Sequence, residues 1–151
     1  MKFFTRAWTR GEMTEEQAAA VPGAYWRHVA SLHLPPTIAA LSELNPHDAF
    51  VLGVDHESEY SRITLRLRCG DLQRGYSDVS LAFSDVTVDL ASLDSLRCAV
   101  RPARVEVLYD EVDRLGDCFE YRLLLHAVGE ASILFRQVEL TEQFVTDREA
   151  G

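Results

Sequence analysis

Lysine is almost absent. Lys2 is the only one among 15 basic residues, and with 24 acidic residues the chain has a formal net charge of −9. Binding nucleic-acid phosphates or an anionic lipid surface requires clustered Lys and Arg. No nucleic-acid or membrane partner is therefore expected. Cysteine is also scarce: Cys69, Cys98 and Cys118 are odd in number and show no C-x-x-C spacing. They imply neither a disulfide framework nor a zinc knuckle, and a reduced, cytoplasmic setting is the simpler reading. No run approaches the ~18 apolar residues of a membrane span. The opening MKFFTRAW turns polar at Thr9-Arg10-Gly11-Glu12 without an apolar core, so no leader peptide is expected. Nucleophile elbows, P-loops and dinucleotide glycine patterns are missing, and the 8 glycines stand singly at turns. The expectation is no cofactor and no metal.

What remains is an ordinary globular composition, 47% hydrophobic and 26% charged over 151 residues. That length suits one domain, 1–151, able to bury a core without disulfides. Thr14 followed by Gln17 has the form of a capping box, which starts a helix over 14–21. Pro22-Gly23 is expected to break or kink it. A second helix over 24–32 places Tyr25, Val29 and Leu32 on one face, and a third over 36–44 begins on proline. From His47 the apolar period changes from that of helix to that of strand. Phe50, Leu52 and Val54 are read as one face of a first strand. Ile63, Leu65, Leu67 and Cys69 form the cleanest alternation in the chain, followed by Val79, Leu81 and Phe83. A short helix or coil is read over 90–96. Three strands over 104–111, 118–128 and 131–140, separated by turns at Gly116-Asp117 and Gly129-Glu130, complete an antiparallel meander. In the first of these Val105, Val107 and Tyr109 are read as one face. The reading is an α+β domain: a helical segment (1–46) packed with an antiparallel sheet of about six strands (47–144), then a tail (145–151).

The candidate site residues are His47, Asp48, Arg62, Arg66, Arg68 and His126. His47-Asp48 is the most chemical-looking pair, since an aspartate can orient a histidine for acid–base or metal work. Its plain alternative is a turn after Pro46. His126 and His56 could join a metal cluster with nearby acids, but no metal-ligand spacing supports one. Arg62, Arg66 and Arg68 lie on one face of a strand, where they could take an anion or pair with acids across the sheet. The acidic run from Tyr109 to Asp113 is read as a polar loop. Cys69, on an apolar face, is read as a structural thiol.

Met1-Lys2-Phe3-Phe4-Thr5 and His47-Asp48-Ala49 resemble the opening run and the pre-strand step of a bacterial family of small proteins of unknown function. The His-Asp-Ala step is also similar to one in immunity-type proteins of bacterial toxin systems. The resemblance implies no activity; beyond these residues it continues as a strand pattern, and it raises protein binding as a function.

The sequence is therefore read as a non-enzymatic domain that binds another protein, with immunity to a toxin as one concrete form. An acidic chain suits a basic partner. The second reading is a small metal-dependent hydrolase using His47, Asp48 and His126. The third is a small-molecule or anion binder with Arg66 or Arg68 at its mouth. Open sheet edges make a homodimer compatible with all three.

Overall fold

Thr14 opens the main helix as its spacing predicts. Its hydroxyl accepts from the Gln17 N–H, and the Gln17 side chain returns the bond to the Thr14 N–H. The computed structural model describes residues 1–71, 73, 75–100 and 105–146. A short helix α1 (Arg6–Thr9) precedes the capped helix α2 (Glu15–Ser31), and α3 (Pro36–Glu43) follows.

The expected break at Pro22 does not occur, and α2 runs through it without interruption. Proline has no N–H, so the Ala18 carbonyl four residues earlier loses its helical donor. The indole N–H of Trp8 donates to that carbonyl at 2.9 Å. A tertiary contact thus replaces the bond the helix lacks. It also joins α1 to α2.

The fold is α+β with two antiparallel sheets. The first has the order β1-β2-β3-β7, from β1 (Phe50–Glu57), β2 (Arg62–Asp71), β3 (Gly75–Ser84) and β7 (Gln137–Val145). The second is β4 (Val107–Leu115), β5 (Cys118–Leu125) and β6 (Gly129–Phe135). Helix α4 (Leu90–Val100) lies between β3 and β4 in the chain and packs on β6 and β1. It is longer than the 90–96 expected, and its first turn is capped by Asp89 through the Ser92 N–H and hydroxyl. Arg104, the first residue of the expected meander, and the tail beyond Thr146 lie outside the described residues.

The stretch 131–140, read as one strand, is two. Ala131, Ile133 and Phe135 are buried at odd positions, whereas Val138 is buried at an even one. A side-chain period of two cannot change phase without a kink. The kink is Arg136, where the chain stops pairing with β5 (Phe135 opposite Phe119) and starts pairing with β3 (Gln137 opposite Ser84). The two sheets are also joined by bridges at Phe50–Glu106 and Thr87–Leu134. They enclose one core, in which Phe83 meets Phe135 at 4.8 Å and Tyr121 at 5.8 Å.

Two bulges correct two expected faces. In β1 the register shifts between Val51 and Gly53. Val51 and Val54 consequently oppose the buried Leu67 and Leu65, so Phe50, Leu52 and Val54 do not share a face. In β4 it shifts between Val107 and Tyr109, leaving Leu108 as the extra residue. Val107 and Val112 then both face the core, although one is odd and the other even. Tyr109, Glu111 and Asp113 turn to the opposite face, toward α1 and α2. The run 109–113 is thus strand, not polar loop.

Candidate functional site

Glu111 fixes the N-terminal segment. Its carboxylate, 1% exposed, accepts the backbone N–H groups of Lys2, Phe3 and Phe4 at 2.7, 2.6 and 2.8 Å. Arg122, directly opposite on β5, donates to it at 3.2 Å. The same guanidinium reaches Asp113 at 3.1 Å and also bonds Glu120. Ser132 on β6 donates to Glu120, and His28 Nε2 on α2 donates to Asp113 at 2.9 Å. Burial alone would raise the carboxyls of Asp113 and Glu120. The bonds from His28, the Arg114 N–H and Arg122 hold Asp113 below the usual carboxylate range, and those from Arg122 and Ser132 do the same for Glu120. Tyr25 accepts the Val112 N–H at 3.0 Å, so α2 covers the outer edge of β4. With α3 on β7 and α4 on β1, the sheet edges that suggested self-association are partly covered.

This network carries α1 to the margin of the second sheet, where a groove of about 590 Å³ opens. Its walls include Arg6, Trp8, Arg10, His47, Tyr109 and His126. Among the described residues no carboxylate lines it. The Tyr109 ring is the floor of an aromatic stack. His47 lies over it at 4.8 Å and 17°, Phe4 at 5.1 Å and 19°, and Trp8 meets it edge-on at 4.8 Å. His47 Nδ1 donates at 2.7 Å to the carbonyl of Leu108, the bulged residue. A carbonyl only accepts, so Nδ1 carries the proton and Nε2 of the neutral ring is left as an acceptor. Arg10 pairs loosely with Glu12 at 3.8 Å. Arg6 lies against Gly129 and makes no ion pair with any described residue.

A second cleft, of about 400 Å³, adjoins the other side of the His47 turn. Apart from His47, its charged lining among the described residues is acidic: Glu43, Asp48, Asp71 and Glu142 line it, with Phe144 exposed (82%) beside them. His47 lines both concavities, and its Nδ1 stands 3.6 Å from Asp48. Asp48 and Asn45 hold positive φ of 62° and 45°, conformations that Asp and Asn tolerate best among side chains of their size.

The structure therefore brings His47 and His126 to one groove from 79 positions apart (126 − 47) in the chain. It places Asp48 in the neighbouring cleft. The arginine stripe is directed elsewhere. Arg68 is buried and forks onto Asp78 at 2.7 and 2.9 Å. Arg66 spreads over Gly53 and pairs with Asp55 at 3.3 Å. Arg62 buries an Nε that has no hydrogen-bond partner among the described residues. None of the three lines the groove between helix and sheet. Among the described residues no three His, Cys, Asp or Glu side chains could hold a metal ion. The buried Cys69 thiol is pushed up to about 12 by desolvation and by Glu142, Asp110 and Asp78, which suits a packing role.

Arg6, Trp8, Arg10 and Tyr109 are site residues that the sequence reading missed. The signal for the underlying network was present. Glu111 and Asp113 alternate on one strand, and Glu120 and Arg122 on the next, about the Gly116-Asp117 turn. Comparison with protein-family models, curated proteins and solved structures found no match. No helix among the described residues is long and apolar enough to cross a membrane.

Proposed function

We propose that this is a non-enzymatic binding domain that recognises another protein through the surface centred on His47. The supporting observation is the charge pattern around that residue. A cationic, aromatic groove and an acidic cleft with an exposed Phe144 lie on its two sides. Adjacent patches of opposite sign fix the orientation of an incoming protein and penalise wrong ones. An exposed aromatic next to them is a common anchor. The Leu108 bulge adds support, because bulges concentrate where a strand re-aims side chains at a site. Immunity to a toxin is one concrete form of this reading and rests on the resemblance of His47–Ala49.

Catalysis by His47, Asp48 and His126 is less well supported. Asp48 faces the other cleft, and no described group could hold the metal.

The test is native mass spectrometry of the protein isolated from its host at low salt. Wild type is expected to retain a protein at fixed stoichiometry. The double variant Arg6→Glu/Arg10→Glu and the single variant Glu142→Lys should each lower retention at least about tenfold while keeping wild-type circular dichroism. Full retention by both variants would refute the assignment of this surface.

A further inference from the structure

We infer that the groove between α1 and the β4 bulge is itself a site for a small organic anion, a carboxylate on an aromatic or apolar body. The site shares its surface with the partner reading but does not depend on it, since a small anion can be tested with no partner present.

Two observations support the ligand class. The first is charge. In a chain of net charge −9 this groove gathers Arg6, Arg10, His47 and His126 with no described carboxylate on its walls. Arg6 has no described anionic partner, so its fork of donors is available to a carboxylate. The second is shape and lining. About 590 Å³ lies within the range of small-molecule pockets. Trp8 and Tyr109 supply an aromatic wall, and Leu108 continues it as apolar surface. A bare inorganic ion would leave that wall unused.

Trp8 lines the groove and reports on it. The experiment uses the full chain carrying Trp26→Phe, which leaves Trp8 as the only tryptophan, since there are 2 in all. Benzoate is titrated near neutral pH, where it is ionised, while Trp8 fluorescence is followed. The expected result is a saturable change in that fluorescence. Arg6→Gln should abolish saturation. Arg10→Gln, on a more exposed residue, should weaken it. Thermal melts identify any variant that fails to fold, and Arg10→Gln carries the test if Arg6→Gln does so.

Absence of saturation would overturn the inference, as would equal binding by a folded Arg6→Gln protein. Inorganic phosphate binding as well as benzoate would overturn the aromatic part. Binding of a hexaglutamate peptide with no response to benzoate would overturn the small-ligand form and leave the partner reading standing.

Discussion

Replacing Arg122 with methionine is expected to lower the unfolding free energy by roughly 4 kcal/mol, because it strands carboxylates that are largely buried. The Arg122 side chain is 17% exposed, and its three acidic partners Glu111, Asp113 and Glu120 are 1%, 8% and 15% exposed. Glu111 keeps its three backbone donors when the guanidinium goes, and Asp113 keeps His28 and the Arg114 N–H. Glu120 keeps only Ser132. Lysine at this position has one compact head, cannot fork to three carboxylates, and should recover less than half of the loss. Equilibrium unfolding in urea measures both variants, and a loss below about 1 kcal/mol would mean that the network contributes little. The acid limb should change too. Asp113 and Glu120 are held low in the folded state, so their stabilisation is present above the unfolded carboxylate range and is lost as pH falls through their folded values. Without Arg122 that acid-side slope should flatten.

Asp110→Asn is expected to act in the opposite direction and to stabilise the protein at neutral and alkaline pH. The β4 bulge turns Asp110 to the core side, opposite Leu123 on β5. Desolvation pushes its carboxyl up to about 7, with Glu111 adding repulsion and Tyr121 partly offsetting both. The Tyr121 hydroxyl is fully buried and has no hydrogen-bond partner in ordinary geometry among the described residues. Burial and the charge of Asp110 keep its own proton firmly bound. An acid whose folded value is raised holds its proton longer in the folded state than in the unfolded chain. Its contribution is therefore complete below about pH 4 and is lost as pH rises through about 7. The full shift corresponds to at most roughly 4 kcal/mol. Asp110 is only half-buried as a residue, so about 2 kcal/mol is the expected gain for Asn near pH 8, shrinking toward zero near pH 4. Thermal or urea unfolding across that range checks it. A constant difference between Asp110 and Asn at every pH would mean that this carboxyl does not titrate with folding.

Local signals were legible in the sequence, and compensated ones were not. The Thr14 capping box, the Ile63–Cys69 alternation and the proline start of α3 depend on neighbours in the chain, and they form as read. Pro22 read as a helix break because the donor that rescues Ala18 comes from Trp8, in another element. The Leu108 bulge is a single extra residue with no glycine to mark it, and it reversed the facing of everything from Tyr109 onward. That one shift hid the acidic network, the inward Asp110 and the aromatic floor of the groove. His47 and His126 could be named from their types and positions. The arginines that stand beside them could not, because a buried glutamate on β4 is what brings the N-terminal segment there. The stripe Arg62, Arg66 and Arg68 misled for a related reason. A one-sided row of cations on a strand attracts acids from its neighbours, and Asp55 and Asp78 lie on the two strands flanking it.

The most direct test of the central claim is hydrogen–deuterium exchange of the protein alone and in the complex isolated from its host. A partner seated on the His47 surface should slow exchange at 5–10, 46–48, 108–109 and 126–127 together. Protection confined to the outer face of the four-stranded sheet, around Arg66, with those segments unchanged, would contradict it.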